Sequence, residues 1–244
     1  VGEKEFEGST TGRFSKATGS YRAISQTLSV EFVPAENFRA EFGGAVVSNN
    51  TNNVAGFEDR RQLAFGSFSA DLRYRLLDRA TAPFGLAIGA EPHWGRIDEL
   101  TGAAVNQYGV DFVVAADREI VPDRVVAAFN LLYQPEATRA GLGGAWSRES
   151  TLGVAAALML ELRPGVFIGG EARYLRKYEG SGFDELAGHG VFFGPTLYVQ
   201  LSRAAWIAAA WSAQIAGRSA AEPGSLDLVN FERHQARLLF GISF

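Results

Sequence analysis

One histidine, one serine and one glutamate lie at a spacing that could support hydrolysis. If the chain folds back on itself near residue 80, His93 falls roughly across from Ser67, and Glu91 lies two residues from His93 on the same face. A nucleophile, a base and an orienting carboxylate are the groups that this chemistry needs within hydrogen-bond reach. His189 has no serine nearby, and His234 falls on the opposite parity of its segment. Ser67, His93 and Glu91 are therefore the catalytic candidates of the sequence.

The segments that would carry these residues alternate apolar and polar side chains. In FSADLRYRLL, Phe68, Leu72 and Tyr74 fall on one face, opposite Asp71 and Arg73. A period of two is typical of a β-strand with two different faces. Eleven more segments have this pattern, and the first of them, KEFEGSTTGRF, has the poorest apolar face. The sequence predicts about twelve strands, and counts of ten or fourteen stay open.

Short and long connections alternate along the chain. The short ones centre near residues 35, 80, 121, 164 and 203, and the long ones cover about 48–61, 96–104, 135–149, 177–188 and 217–229. Short turns that recur about every 40 residues are typical of an up-and-down meander built from hairpins. No linker or change of composition divides the chain, so residues 1–244 are predicted to form a single domain.

Composition excludes several classes of function. The chain of 244 residues has a formal net charge of −4, which provides no basic surface for nucleic acid. It has no cysteine, so disulfides and thiolate metal sites are excluded. The longest weakly polar run, AAWIAAAWSAQIAG, is too short for a membrane-spanning helix. A mean hydropathy of −0.01 fits a soluble protein, but it also fits a membrane β-barrel with one lipid-facing and one lumen-facing side on every strand.

The last segment, HQARLLFGISF, places Leu238, Phe240, Ile242 and Phe244 on one face. It resembles the last strand of bacterial outer-membrane β-barrel proteins, which typically alternates apolar residues and ends on Phe. The resemblance implies an all-β fold, a transmembrane antiparallel up-and-down barrel of about 12 strands with short periplasmic turns and longer extracellular loops. It also implies periplasmic termini and a C-terminal strand that the barrel-assembly machinery reads. The alternative is a soluble β-sandwich or lipocalin-like barrel, whose apolar faces would surround a core.

In a membrane barrel the polar faces line the lumen. Pairing the strands on either side of the 48–61 connection puts Arg39 roughly opposite Asp71, so acids and bases are expected to interleave. Such a wall fits either a narrow pore for small zwitterionic or neutral solutes or ion pairs that hold the barrel shut. The expected lumen-lining residues are Glu31, Arg39, Glu41, Asp71, Arg73, Arg75, Glu91, His93, Asp111, Glu161, Glu171, Arg173 and Arg237.

Aromatic residues cluster near both ends of the predicted strands, as expected for the two interfaces of a spanning barrel. The expected membrane-interface aromatics are Phe32, Phe38, Tyr74, Phe84, Trp94, Tyr108, Tyr133, Tyr174 and Phe244. The outer loops also carry arginines, among them Arg61, Arg96 and Arg148, that could contact lipopolysaccharide phosphates. Outer-membrane lipids and lipopolysaccharide are therefore the expected partners, with a small-molecule solute as a further one.

Three functions fit this sequence. The leading hypothesis is an outer-membrane channel for passive passage of a small polar or amphipathic solute through a mixed-charge lumen. The first alternative is an outer-membrane enzyme that acts on lipid or lipopolysaccharide through Ser67, His93 and Glu91, but those residues would face the lumen, where a lipid acyl chain has poor access. The second alternative is a structural or adhesive barrel without transport. We expect no cofactor and no metal site.

Overall fold

A computed structural model describes residues 2–141 and 143–244, which form one closed antiparallel β-barrel. In these residues the sheet has twelve strands, each hydrogen-bonded to its neighbours in sequence, and the last strand closes the ring onto the first. The strands are β1 (Lys4–Phe14), β2 (Ser20–Ala35), β3 (Phe38–Asn52), β4 (Arg60–Leu77), β5 (Gly85–Ile97), β6 (Ala104–Val121), β7 (Val125–Ala140), β8 (Trp146–Arg163), β9 (Val166–Glu179), β10 (Glu185–Gln200), β11 (Ala205–Ser219) and β12 (His234–Ser243). The predicted twelve-stranded barrel, including its first strand, is confirmed.

The closure of the ring explains the weak apolar face of β1. Phe6 lies opposite Ile242, and Gly8 lies opposite Phe240. The Phe240 ring fills the space where a Cβ of Gly8 would lie, so β12 supplies the apolar surface that β1 lacks. Because a closed ring has no free strand edge, the backbone groups of both terminal strands are paired. No helix in the described residues is long and apolar enough to span a bilayer.

The apolar faces of the strands point out of the barrel. Leu28, Phe42 and Phe68 have exposed fractions of 49%, 53% and 55%. A soluble sandwich or lipocalin-like barrel would bury this face, so that alternative is wrong. A continuous apolar surface of this kind fits contact with lipid hydrocarbon.

The two rims of the barrel differ in their connections. At the short-turn rim, the β2–β3 and β8–β9 turns are closed by Asn37 and Gly165, whose φ angles of 61° and 77° fit such tight turns. At the opposite, long-loop rim, the connections between β3 and β4 and between β9 and β10 are shorter than predicted. Polar segments there continue the strands beyond the apolar belt, and β3 runs on to Asn52. The β11–β12 connection, residues 220–233, is the longest of the described ones.

A β-bulge in β4 shifts the pairing of β3 with β4. Ala45 lies opposite Ser67 whereas Val46 lies opposite Phe65, so Gly66 is an extra residue on β4. A Cβ at Gly66 would lie 2.8 Å from the Cγ1 atom of Val47, which explains why the bulge has a glycine. Pairing the two strands about the middle of their loop, as the sequence suggests, does not predict this bulge.

The shifted register changes which charges face each other in the lumen. Arg39 lies opposite Arg73, and Glu41 lies opposite Asp71. The predicted pairing of Arg39 with Asp71 is therefore wrong by two residues, partly because of the bulge and partly because the true centre of the loop lies further along the chain. Like charges, not opposite ones, meet across these two strands.

Candidate functional site in the barrel lumen

The inner wall carries six carboxylates on six consecutive strands, which we call the acidic row. Neighbouring members lie directly opposite each other in the ladder, and the pair on β4 and β5 falls between the pairs Ser69–His93 and Leu72–Ala90. Because the strands of a barrel are tilted, such a row climbs from one rim towards the other. Its members are Glu5 (β1), Glu31 (β2), Glu41 (β3), Asp71 (β4), Glu91 (β5) and Asp111 (β6), which run from the short-turn rim to the middle of the wall.

Two arginines partly neutralise the acidic row. The Nη1 atom of Arg39 lies 2.8 Å from Glu31 Oε2, and its Nη2 atom lies 3.5 Å from Glu41 Oε2. The Nη2 atom of Arg73 lies 2.6 Å from Asp71 Oδ2. Like charges that face each other across strands destabilise a sheet, and these ion pairs offset part of that cost. The side chains of Glu31, Glu41 and Asp71 have exposed fractions of 14%, 16% and 10%, so none of the three is fully buried by its partner.

The other three carboxylates of the row have no basic partner. Trp206 Nε1 donates a hydrogen bond of 2.9 Å to Glu5, and Gln134 Nε2 donates one of 2.9 Å to Asp111. Within residues 2–141 and 143–244, no arginine, lysine or histidine lies at ion-pair distance from Glu5, Glu91 or Asp111. The acidic row therefore has an excess of negative charge that faces the lumen.

His93 lies beside the row, opposite Ser69 on β4 and Gly109 on β6. Its ring occupies the space where a Cβ of Gly109 would lie. Its Nε2 atom is 4.0 Å from Glu136 Oε2 on β7, which makes Glu136 the carboxylate that His93 approaches most clearly. In the lumen, His93 is thus surrounded by acids and small residues.

The three catalytic candidates are not brought together. Ser67 lies opposite Gly95, so the predicted pairing of Ser67 with His93 is wrong by two residues. In the part of the chain that the structure describes, no hydrogen bond joins the side chains of Ser67 and His93. Glu91 lies in the acidic row opposite Asp111, where it does not orient His93 for proton transfer.

The inner face of β7–β12 has a different character. Lys177 on β9 forms an ion pair with Glu149 on β8. A more compact charged group lies further down this face, in which Glu171 Oε1 is 2.5 Å from Arg237 Nη2 and 3.1 Å from Arg173 Nε. Arg173 also donates a hydrogen bond of 2.8 Å to Ser212 Oγ. Small or apolar side chains share this face with the charged group: Ala128, Leu132, Ala155, Ala157, Ala208 and Ala210.

The β5–β6 connection, residues 98–103, folds into the lumen over β1–β4. The carboxylate of Glu99 accepts hydrogen bonds from Arg13 (3.2 Å) and Ser25 (3.0 Å), both on the inner face. The backbone carbonyls of Glu99, Leu100 and Gly102 accept further bonds from Asn49 (2.9 Å), Tyr21 (3.1 Å) and Arg60 (2.9 Å). This inner loop is therefore held by polar contacts and narrows the lumen on its acidic side.

The β11–β12 connection, residues 220–233, covers β10 and β11 and reaches the β1–β2 connection. Asp227 is fully buried, and its backbone exchanges two hydrogen bonds of 2.6 and 3.0 Å with the side chain of Gln214. The Phe231 ring packs edge-on against Phe192, with 6.0 Å between their centroids. The ammonium of Lys16, in the β1–β2 connection, donates to the carbonyl of Phe231 at 2.8 Å. This second loop is held mainly by buried contacts.

Three carboxylates lie close enough together to be considered for a metal ion. Glu7, Glu31 and Glu41 each offer an oxygen within 4.8 Å of the others. Oxygen ligands of this kind suit a hard divalent cation. The guanidinium of Arg39, however, already contacts both Glu31 and Glu41, so a positive group occupies part of the space between them.

Two predicted lumen residues lie at the short-turn rim, where they stabilise turns. Arg75 pairs with Asp78 at 2.8 Å and donates to the side chain of Asn37 at 2.9 and 3.1 Å. Glu161 accepts a bond of 3.0 Å from the backbone N–H of Gly165. Arg75 and Glu161 therefore stabilise hairpin turns at the edge of the lumen.

The predicted interface aromatics lie along the outer surface near the two rims. Tyr74, Phe84 and Phe244 are exposed at the short-turn rim. At the long-loop rim Tyr108 is exposed, and the ring of Trp94 stacks on that of Phe68 at 6.3 Å. The remaining predicted aromatics are Phe32, which stacks on Phe42, Tyr133, which stacks on Phe112, Tyr174, which contacts His189, and Phe38 at the start of β3.

Several residues of the site are absent from the predicted lumen set. Glu5 and Arg13 lie on the polar parity of β1, and that alternation could have identified them. Glu136 lies on the same parity of β7 as Gln134, but the sequence gives no reason to single it out. Glu99 enters the lumen from a connection, and the periodicity of the strands does not predict where the side chains of a connection point. The weak apolar face of β1 and the irregular loops are thus where the sequence is least informative.

Three solved structures share the fold of this chain. The COG4313 outer membrane channel from Pseudomonas putida F1 has a TM-score of 0.62 at 12% identity, with coverage of 100% of this chain and 96% of that one. The KdgM porin in complex with disordered oligogalacturonate has a TM-score of 0.53 at 10% identity, with coverage of 99% of each chain. The β domain of the Bordetella autotransporter BrkA has a TM-score of 0.54 at 13% identity, with full coverage of both chains.

These similarities establish the architecture, which is that of twelve-stranded outer-membrane barrels. At such low identity they extend to the fold alone, and the three proteins differ in what their names describe. No curated protein matches the sequence. A family model described as a family of unknown function (DUF6662) matches residues 1–244.

Proposed function

We propose that this chain, which belongs to the DUF6662 family over residues 1–244, is a passive channel of the bacterial outer membrane for small cationic or polar solutes. The observation that carries the proposal is the acidic row along one wall of the lumen. Three of the six carboxylates have no basic partner, and fixed acids that line a pore attract cations. The alanine-rich wall opposite suits solutes with a short apolar part, such as small organic amines.

The similarity to two proteins that are named as a channel and a porin supports passage through the lumen. Neither similarity identifies the solute of this chain. Oligogalacturonate is a polyanion, and the acidic row would repel it. The preference for cations rests on the residues of this chain alone.

The proposed orientation places the short-turn rim and both termini in the periplasm and the long-loop rim outside the cell. In this orientation the end of β12, with Phe244 at an exposed fraction of 73%, is available to the barrel-assembly machinery as the strand it recognises. A small solute would meet loops 98–103 and 220–233 first and the acidic row afterwards.

Conductance of the purified protein in planar bilayers tests the proposal. We expect discrete openings and, in a gradient of KCl, a reversal potential that indicates preference for K⁺ over Cl⁻. The double variant Glu91→Gln with Asp111→Asn should keep the openings and lose much of the preference, because it removes two unpaired charges from the row. Absence of openings in the wild-type protein would refute the channel, and preference for Cl⁻ would refute the role of the row.

A matched control separates the row from the overall charge of the protein. Glu36 and Asp123 lie in short-turn connections and are exposed. Glu36→Gln with Asp123→Asn removes the same number of carboxylates outside the lumen. Its reversal potential should stay close to that of the wild type.

A second candidate is a structural barrel without traffic, and the two loops that fold into the lumen favour it. Loop 98–103 covers β1–β4 and loop 220–233 covers β10 and β11, so together they narrow the passage at the long-loop rim. Bilayers containing the wild-type protein and a Glu99→Gln variant distinguish the two candidates. If both are silent, the structural candidate is supported. If the variant conducts more than the wild type, loop 98–103 restricts an existing pore.

A further inference from the structure

The outer surface of the barrel carries arginines near the long-loop rim that contact no acid. On three consecutive strands, Arg176 (β9), His189 (β10) and Arg218 (β11) lie directly opposite one another. On the other side of the barrel, Arg22 and Arg61 flank Asn50 in the same manner. These residues share the parity of the lipid-facing side chains, so they project outwards. We call Arg176, His189 and Arg218 the basic triad.

The basic triad lies immediately above the outer aromatic residues. Tyr174, two residues from Arg176 on the same face, is 37% exposed, and its ring contacts that of His189 with 5.9 Å between centroids. The guanidinium of Arg176 lies 5.3 Å from the centre of the Tyr178 ring. Exposed aromatic rings of this kind mark the boundary between hydrocarbon and headgroups. The triad is therefore at the depth of the lipid headgroups.

The two arginines of the triad have no acidic partner in the described residues. Across the described residues, the arginines that form ion pairs lie in the lumen or in connections, and neither Arg176 nor Arg218 is among them. The Nε atom of Arg176 is buried and has no hydrogen-bond partner. Arg176 and Arg218 flank His189 on neighbouring strands, so two guanidinium groups share this patch of the outer surface without an acid. A partner for them would come from outside the protein.

The opposite rim provides an internal comparison. There the outward-facing basic residues Lys4 on β1 and Arg118 on β6 lie on strands that are not neighbours, and Arg203 lies alone in the β10–β11 turn. They do not face each other across adjacent strands. Only the long-loop rim thus combines adjacent basic residues with an aromatic belt within the described chain.

We propose that the basic triad is a docking surface for the phosphorylated headgroup of a glycolipid in the outer leaflet. Guanidinium groups bind phosphate oxygens through two parallel hydrogen bonds, and directly opposite residues on neighbouring strands lie about 5 Å apart, so the triad can engage one or two phosphates. The acyl chains of the lipid would lie along the apolar face below. This inference is independent of whether the lumen conducts.

Binding to the full-length protein in detergent tests the proposal. The probes are diphosphorylated lipid A, the same lipid after enzymatic removal of its phosphates, and inorganic phosphate, and native mass spectrometry measures occupancy. We expect the diphosphorylated lipid to bind at least about tenfold more tightly than the dephosphorylated one, because the phosphates form the charge-assisted bonds. Inorganic phosphate at millimolar concentration should not displace the lipid. Equal binding of both lipids, or displacement by inorganic phosphate, would overturn the proposal.

A variant pair assigns the binding to the triad. Arg176→Gln with His189→Gln and Arg218→Gln should weaken binding of diphosphorylated lipid A by about tenfold, since it removes the phosphate ligands. Lys4→Gln with Arg118→Gln and Arg203→Gln removes three basic residues from the opposite rim and should leave binding unchanged. Folding of each variant is checked by heat-dependent migration in gels. If the triple variant does not fold, the single variants Arg176→Gln and Arg218→Gln should each still weaken binding, and wild-type affinity in both would overturn the assignment.

Discussion

The two halves of the inner wall differ in charge and in the loop that covers them. On β1–β6, the acidic row faces the lumen, and loop 98–103 is attached by the ion pair of Glu99 with Arg13 and by hydrogen bonds. On β7–β12, alanines lie around the group of Glu171, Arg173 and Arg237, and Lys177 is paired with Glu149. Loop 220–233 is attached there by the packing of Phe231 on Phe192 and by buried bonds to Asp227.

This difference indicates a division of tasks within one lumen. Charges along the acidic wall act at a distance and depend on ionic strength, because salt screens them over about 8–10 Å. Small side chains on the other wall act by their volume and are insensitive to salt. The first half is therefore expected to select by charge, and the second to limit size. The compact group of Glu171, Arg173 and Arg237 has one acid and two bases, so it adds one formal positive charge to the second half.

The contrast between the two halves is wrong if introduced positive charges change ion selectivity equally on both. Glu91→Lys with Asp111→Lys places two positive charges in the acidic row, and Ala128→Lys with Ala210→Lys places two on the opposite wall. We expect the first pair to lower the permeability ratio of K⁺ to Cl⁻ by roughly tenfold and the second by a few fold, because only the first removes acids as well. Reversal potentials in asymmetric KCl measure both ratios. Equal changes would contradict a selective half.

The two halves should also differ in how much each loop attachment contributes to the free energy of unfolding. Phe231→Ala removes a buried ring and should lower the free energy of unfolding by about 3 kcal/mol. Glu99→Gln removes a partly exposed ion pair and should lower it by about 1 kcal/mol or less. Thermal unfolding in detergent, followed by heat-dependent gel migration, gives both values.

Salt provides the control for this pair of variants. In 1 M KCl the difference between Glu99→Gln and the wild type should shrink, because the ion pair is already screened. The difference between Phe231→Ala and the wild type should stay. A salt-sensitive Phe231→Ala variant would mean that loop 220–233 is also held by charge.

The strands could be predicted from the sequence because lipid and lumen impose opposite chemistry on alternate residues. The weak first strand, residues 4–14, followed from the need for an even count, and its own side chains explain little until Phe240 covers Gly8. The face of each charged residue was also readable from parity. The fold class and the face on which each side chain lies thus follow from the local alternation of apolar and polar residues.

The pairing of charges could not be predicted, because it depends on register. One extra residue at Gly66 and a displaced loop centre convert an expected pairing of Arg39 with Asp71 into facing acids and facing arginines. The same kind of error, around the β4–β5 turn, moved Ser67 away from His93. A shift of two residues keeps every side chain on its face, so parity gives no warning of it. The shift brings Glu41 opposite Asp71 and so joins the acids of β1–β3 to those of β4–β6.

Lys16 joins the two halves at the long-loop rim, and its effect depends on pH. It lies in the connection after β1 and donates to the carbonyls of Val229 and Phe231 in loop 220–233. Burial lowers the pKa of Lys16 from 10.5 to about 8, against the opposing effect of Glu232 and Asp227. Between these two values the unfolded chain binds more protons than the folded one. The free energy of unfolding should therefore rise with pH above 8, by at most about 1.4 kcal/mol per pH unit.

Thermal unfolding at pH 8 and pH 9 measures this slope. Lys16→Met removes the titrating group and should abolish the rise, whereas Lys4→Met, at the other rim, removes an exposed lysine and should preserve it. An unchanged slope in Lys16→Met would mean that another group titrates. A fall in stability over this range would mean that loop 220–233 needs the charged ammonium, and that its attachment is electrostatic like that of loop 98–103. In that case the contrast between the two halves would be confined to the strands.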